Sequence, residues 1–127
     1  MIVVDASAVV ARLLRTAGGD AIDLDEDLHA PELCELEIVS TLRRGMQERE
    51  LRLERAAEAL SDYVGLPLTL HGHRLLLARC FALFENFTPY DASYVALAER
   101  LGAPFLTLDR GLARVVAEHT QVELVPV

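Results

Sequence analysis

Residues 2–14 of the chain, IVVDASAVVARLL, place one carboxylate between two apolar runs. The segment IVVD (2–5) has the composition of a short buried strand, and the pattern over about Ala6–Leu14 predicts a helix. Asp5 or Ser7 is a natural cap for that helix. Because a charge beside a hydrophobic core is costly unless something pairs with it, Asp5 is the first candidate for a functional residue.

Outward from this segment, strand and helix patterns alternate to the end of the chain. The predicted strands are apolar runs, and the predicted helices have apolar residues at helical spacing. After the first helix we predict a polar acidic loop at 18–27. Further strands are predicted at 28–30, 66–70, 104–109 and 122–127. The predicted helices run from Pro31 to about Gly45, over about Leu53–Tyr63, from His73 to Phe84, from TPYD (88–91) to Gly102, and over 110–119.

Strands that alternate with helices favour an α/β fold with a central, mainly parallel sheet that helices cover on both faces. Strands buried on both sides are expected to be continuous apolar runs, as they are here. No internal repeat or low-complexity linker interrupts the pattern. We therefore predict one three-layer α/β/α domain over residues 1–127.

The composition narrows the class of protein. With 127 residues and 52% hydrophobic residues, the chain is typical of a globular domain. No apolar run reaches the length of a membrane span, and the N-terminus lacks the pattern of a signal peptide. We therefore expect a cytoplasmic protein without membrane contact. The net charge of −8 argues against nucleic-acid binding over the whole surface, although all twelve basic residues are arginine, a good phosphate ligand.

The two cysteines, Cys34 and Cys80, lie far apart and lack the spacing of metal ligands. Both have apolar neighbours, so we expect thiols that behave as small hydrophobic side chains.

Three aspartates occupy strand ends or a helix start. Asp5 ends the first strand, Asp109 ends the predicted strand FLTLD, and Asp91 falls in the first turn of the helix that Thr88 would cap. Helix capping alone would explain each of them. However, ligands of open parallel sheets bind at the carboxyl ends of the strands, so Asp5 and Asp109 are expected to reach one edge of the sheet.

Glu37 is the fourth acidic candidate. It lies between Leu36 and Ile38, at the margin of a helix surface that we expect to be broadly apolar. That surface comprises Leu33, Leu36, Ile38, Val39 and Leu42. Carboxylates that converge on a sheet edge repel one another, and a divalent cation with oxygen ligands, Mg²⁺ or Mn²⁺, relieves the repulsion. Such a site can activate water for phosphodiester hydrolysis.

Three segments together resemble the PIN-domain ribonucleases, and specifically the VapC-like toxins of bacterial toxin–antitoxin pairs. They are IVVDASA at 2–8, LHAPELCELEIVSTLRR at 28–44 and NFTPYDASYVALAERLGAPFLTLDRGLAR at 86–114. The last of these is the most specific, because it joins a YDA helix to a TLD strand end.

The resemblance implies an endoribonuclease that depends on Mg²⁺ or Mn²⁺ and acts as the toxin of a toxin–antitoxin system. It implies four catalytic acids, with the three aspartates as metal ligands and Glu37 completing the site directly or through water. Ser7 and Thr107 would support the site by hydrogen bonds. It further implies an RNA substrate, a homodimer and a cognate antitoxin that covers the acidic site. The catalytic acids are Asp5, Glu37, Asp91 and Asp109.

Other conspicuous residues have simpler explanations. The acidic loop begins like a calcium loop but has Leu28 at its sixth position and Cys34 at its twelfth, so we interpret it as a solvated charge run. Arg43 and Arg44 would contact RNA, the antitoxin or only solvent. We expect turn positions for two histidines, packing for two tyrosines, and core or dimer contacts for three phenylalanines. These are His71, His73, Tyr90, Tyr94, Phe81, Phe84 and Phe87.

Two alternatives remain open from the sequence. One is a PIN nuclease of RNA processing without an antitoxin. The other is a non-catalytic binding module on the same fold, against which the presence of all four acids argues.

Overall fold

The computed structural model describes all 127 residues and has a four-stranded parallel sheet at its centre. The strand order is β3-β2-β1-β4, so β1 and β2 are the inner strands. The strands are β1 (Ile2–Val4), β2 (Leu28–Pro31), β3 (Leu68–His71) and β4 (Phe105–Leu106).

Six α-helices flank the sheet. The core is one cluster of 29 buried residues between the sheet and these helices. The predicted parallel three-layer α/β/α fold is thereby confirmed. The helices are α1 (Ala6–Leu14), α2 (Leu33–Gln47), α3 (Leu53–Val64), α4 (Leu77–Ala82), α5 (Pro89–Leu101) and α6 (Arg110–His119). No helix is both long and apolar enough to cross a membrane.

The helix starts agree with the predicted caps. The side chain of Asp5 accepts a hydrogen bond from the amide of Ala8, and that of Thr88 accepts one from the amide of Asp91. Helix α5 ends at Gly102, which has a left-handed conformation with φ of 61°. Capping side chains and a terminal glycine, which act within a few residues, therefore predict where α1 begins and where α5 begins and ends.

Three strand predictions need correction. The strand predicted at 104–109 is only two residues long, because its chain leaves the sheet at Thr107. The strand predicted at 122–127 is wrong, since this segment makes one isolated bridge, between Phe105 and Leu124. Pro31 is the last residue of β2 and not the first turn of α2, because it is still paired with His71 of β3.

Two further segments differ from prediction. The helical segment predicted from His73 to Phe84 is a 3₁₀ turn at Arg74–Leu76 followed by the short α4. The acidic loop contains a 3₁₀ turn at Gly19–Ala21, which packs on α1.

The expected burial holds for some residues only. Cys34 is buried and Cys80 half-buried, and both are free thiols as expected.

On α2 the side chains of Ile38 and Leu42 are buried, whereas Leu36 and Val39 are exposed. The broad apolar surface predicted for this helix is therefore wrong at those two positions. Helix α2 packs mainly through one narrow face.

The burial predicted for the aromatic residues is likewise confirmed at some positions and not at others. Phe87 and Tyr94 are buried, as expected of core side chains. Tyr90 is 63% exposed and does not pack, and Phe81 and Phe84 are also exposed. His73 lies at the predicted turn, whereas His71 is the last residue of β3, so its predicted turn position is wrong. His71 Nε2 lies 2.8 Å from Nδ1 of the buried His29, and His73 Nε2 accepts a 3.0 Å hydrogen bond from the amide of Leu33.

We expect Gly19→Ala to destabilise the fold by about 1–3 kcal/mol, because overpacking a filled site forces the backbone to move. A Cβ at Gly19 would lie 2.4 Å from the carbonyl oxygen of Ala11, and backbone cannot yield as a side chain can. Urea unfolding measures the change. The control is Gly72→Ala, whose new methyl group meets no atom within 4 Å. Equal stability of the two variants would contradict this packing.

Candidate active site

Asp5 lies at the carboxyl edge of the sheet, directly after β1. Only 6% of its surface is exposed. Its Oδ1 accepts a 2.6 Å hydrogen bond from Ser7 Oγ and one of 3.1 Å from the amide of Ala8, and its Oδ2 accepts one from Thr107 Oγ1. Both carboxylate oxygens are therefore held in place, which is what a buried charge requires.

The two hydroxyl groups also bind the loop that follows β4. Ser7 Oγ accepts a 3.0 Å hydrogen bond from the amide of Leu108, and Thr107 Oγ1 accepts one of 3.1 Å from the amide of Asp109. In the sheet Val4 is opposite Leu106, so the next residues of the two strands, Asp5 and Thr107, meet at the edge. Ser7 and Thr107 thus connect Asp5 to the start of α6.

Asp91 and Asp109 both lie at helix starts. Asp91 is half-buried in the first turn of α5. Asp109 is exposed and caps α6, where its Oδ1 accepts a 3.0 Å hydrogen bond from the amide of Leu112. Helix N-termini favour negative charge, so each position stabilises its carboxylate locally. Asp109 is therefore a helix cap that uses one carboxylate oxygen, whereas Thr88 caps α5 and the carboxylate of Asp91 makes no capping hydrogen bond.

Glu37 reaches the site from α2, and a buried tyrosine holds it. Its side chain is half-buried, and Oε1 accepts a 2.6 Å hydrogen bond from the hydroxyl of Tyr94. The sequence predicts packing for Tyr94 and does not indicate this polar contact. The available signal was its place one turn after Asp91, on a helix of small and apolar residues.

The four acidic side chains interact electrostatically. Burial raises the pKa of Asp5 above its usual value, its hydrogen bonds lower it, and the charge of Asp109 raises it further. Burial also raises the pKa of Asp91, with added repulsion from Asp109 and Asp5. For Glu37, burial raises the pKa, the bond from Tyr94 lowers it, and Asp91 and Asp5 raise it. The fold thus brings all four sequence candidates into one cluster of like charges.

The cluster has no basic partner. No arginine or histidine forms an ion pair with any of the four acids. The possible ligands are all carboxylate oxygens, the donors that Mg²⁺ and Mn²⁺ prefer. No group of three or more His, Cys, Asp or Glu side chains is already arranged to hold a metal ion. The residues fit a hard cation by charge and donor type, although their spacing is not that of a formed three-ligand site. Mg²⁺ in proteins commonly needs only one or two carboxylates besides water and substrate phosphate.

Other candidates lie outside this cluster. Arg43 and Arg44 are exposed on α2 and form no ion pair. In the acidic loop, the side chain of Asp23 bonds the amide of Asp25, and Asp27 lies 2.9 Å from His29 Nε2. The loop therefore has local partners and supplies no acid to the cluster.

Comparison with known proteins decides the family. A family model for the PIN domain matches residues 2–118. The chain belongs to the PIN-domain family. Its curated relatives are VapC-like: it is 37% identical over 126 residues to ribonuclease VapC9 of Mycobacterium tuberculosis, with 99% of each chain covered. It is 34% identical to ribonuclease VapC3 of Pyrobaculum aerophilum, over 88% of this chain and 92% of that one.

The PIN-domain fold also matches a solved structure. The crystal structure of PAE2754 from Pyrobaculum aerophilum has a TM-score of 0.71 and 25% sequence identity, and the match covers 97% of this chain and 87% of the other. The resemblance to VapC-like PIN-domain ribonucleases that the sequence indicated is confirmed.

We expect Asp91→Asn to stabilise this PIN domain at neutral pH and to raise its melting temperature. The gain in the free energy of unfolding should not exceed about 1 kcal/mol, because the group is half-exposed. The pKa of Asp91 is raised in the folded state, so its ionised form destabilises the fold above that pKa. This cost disappears as the pH falls below the ordinary aspartate pKa. The gain should therefore be present at pH 7.5 and absent near pH 3.5, as measured by calorimetry.

Glu50→Gln is the control for this charge removal, since Glu50 is exposed and forms no recorded ion pair or side-chain hydrogen bond. Equal gains in the two variants would show that net charge, and not the cluster, determines the effect.

Proposed function

We propose that the chain, as one domain of residues 1–127, is a metal-dependent endoribonuclease and the toxin of a toxin–antitoxin pair. The observation that carries this proposal is the cluster of four interacting carboxylates at the carboxyl edge of the sheet. The VapC ribonucleases that match nearly the whole chain support the same activity.

The proposed cofactor is Mg²⁺ or Mn²⁺. Asp5, Asp91 and Asp109 would hold it, and Glu37 would complete the site directly or through water. When bound, a divalent cation supplies positive charge that activates water and stabilises the leaving oxygen of a phosphodiester. It also explains how a protein of net charge −8 meets a polyanionic substrate.

The chain's own residues orient this machinery. Ser7, Thr107 and the amide of Ala8 fix both oxygens of Asp5 before any ligand binds. Such preorganisation removes the reorientation that the reaction would otherwise require. Asp109 gains a similar restraint at one oxygen, which accepts the hydrogen bond from the amide of Leu112.

A cognate antitoxin is the proposed protein partner. The exposed apolar side chains of Leu36 and Val39 lie on α2, one residue before and two residues after Glu37. A partner segment that covers them would lie beside the acidic site and block access of RNA. Arg43 and Arg44, further along α2, are free to contact RNA phosphates or the antitoxin.

A homodimer is the proposed assembly. Leu77, Phe81 and Phe84 on and after α4 are all exposed. Together with the buried Phe87 they line an apolar cavity of about 590 Å³. Apolar surface of this kind marks an interface more often than free surface. A second copy that packs its own α4 here would remove these rings from water.

We expect Asp5→Asn to reduce RNA cleavage at least about 100-fold, because the buried carboxylate at the centre of the cluster loses its charge. The variant should fold, since asparagine has the same shape, and far-ultraviolet circular dichroism checks this. Expression in a bacterial host with mapping of RNA 5′ ends measures activity. The wild-type chain should arrest growth and leave new 5′ ends, and the variant should do neither.

Full activity of Asp5→Asn would overturn the mechanism. Cleavage by the wild-type chain without growth arrest would favour a role in RNA processing. Lack of Mg²⁺ and Mn²⁺ binding by calorimetry, together with lack of cleavage, would favour a non-catalytic module.

We expect Phe81→Asp to convert the dimer into a monomer, because it places a charge in the proposed apolar interface. Light scattering after size-exclusion chromatography measures the mass. Val64→Asp is the matched control: Val64 is 81% exposed and Phe81 80%, but Val64 lies on α3. A dimer that persists in Phe81→Asp would show that the interface lies elsewhere on the protein.

A further inference from the structure

Tyr94 on α5 carries a hydroxyl group into the hydrophobic core. Its side chain is 1% exposed, and its ring stacks on Phe105 of β4 with 5.7 Å between the ring centroids. The hydroxyl donates a 2.6 Å hydrogen bond to Oε1 of Glu37, which is 57 residues away in the chain. Packing needs only the ring, because a phenylalanine would fill nearly the same space. The hydroxyl therefore needs a separate explanation.

The hydroxyl has Glu37 as its hydrogen-bond acceptor. A buried hydroxyl is costly without a partner, and a bond to a carboxylate is stronger than one between neutral groups. The neighbouring Cys34, one turn before Glu37 on α2, does not compete as an anion, because burial raises the pKa of its thiol to about 12. The phenol thus meets one charged acceptor, on the side chain that belongs to the acidic cluster.

The contact joins two separate groups of helices. Glu37 lies on α2, which packs with α1 and α3, whereas Tyr94 lies on α5, which packs on α4 and the inner strands. Helix α5 also carries Asp91, three residues before Tyr94. One rigid helix therefore provides both an acid of the cluster and the donor that holds another acid.

The hydrogen bond from Tyr94 holds the Glu37 carboxylate in place against repulsion by neighbouring carboxylates. The charges of Asp91 and Asp5 both disfavour an ionised Glu37 at its observed place. Without a donor, a half-buried glutamate with three rotatable bonds would move toward solvent. The bond to Oε1 keeps the carboxylate at the cluster and leaves Oε2 as the oxygen available to a ligand.

We propose that Tyr94 is a positioning residue of the ribonuclease reaction, which holds Glu37 Oε1 so that Oε2 is presented to the acidic cluster. This inference rests on the proposed ribonuclease function and goes beyond it, because Tyr94 acts only through Glu37 and touches neither substrate nor metal.

The test is a double-mutant cycle with Tyr94→Phe and Glu37→Ala, measured as kcat and KM for cleavage of one RNA oligonucleotide. We expect Tyr94→Phe to lower kcat about tenfold, the equivalent of about 1.4 kcal/mol, and to change KM less than about twofold. In the Glu37→Ala background, Tyr94→Phe should lower kcat no further, because its only route to the reaction is gone. Urea unfolding of the same four proteins should show coupling between the two positions, whether or not RNA is cleaved.

Tyr63→Phe is the matched control. Tyr63 is also buried, and its hydroxyl donates a 2.9 Å hydrogen bond to Oε2 of Glu35, on the same helix as Glu37. It should leave kcat unchanged. An unchanged kcat in Tyr94→Phe, or additive losses in the double variant, would overturn the positioning role while the ribonuclease stands. Absence of cleavage by the wild-type chain would overturn the proposed function and this role with it.

Discussion

The hydrogen bonds around Asp5 are the constraint on which the rest of the site depends. A carboxylate this deeply buried is tolerated because its two oxygens receive three hydrogen bonds, from Ser7, Ala8 and Thr107. Because β1 is an inner strand beside β4, the same bonds fix the loop that begins α6 and carries Asp109. One side chain thus joins the sheet, the first helix and the last helix at the edge where the other acids gather.

Local structure and the proposed chemistry use the same residues. Asp5 and Asp109 cap helices, and Asp91 lies in the first turn of another, so each aspartate contributes to folding by a short-range interaction. Burial of these carboxylates, and then their mutual repulsion, oppose folding, as the raised pKa of Asp5 and of Asp91 indicates. Such a balance is typical of sites in which function keeps like charges together at the expense of stability.

Helix α2 shows how one element can serve several contacts. Its buried face, with Cys34, Ile38 and Leu42, packs into the core. Two of its glutamates receive tyrosine hydroxyls, one from α3 and one from α5. The remaining face exposes Leu36 and Val39 to solvent. The helix is therefore held on two sides and is open on the third, which is where a partner can reach Glu37.

The sequence by itself determined the parallel α/β fold, the limits of α1, the end of α5 and the four acidic candidates, because apolar runs, caps and a terminal glycine act within a few residues. Only the tertiary structure decided how far β4 extends, that residues 122–127 make a single bridge, and that Leu36, Val39 and Tyr90 are exposed. Burial and pairing depend on which distant segment arrives opposite, and no local pattern contains that information. The bond between Tyr94 and Glu37 joins residues 57 apart in the chain, so the sequence predicts packing for Tyr94 and only the tertiary structure brings its hydroxyl to Glu37.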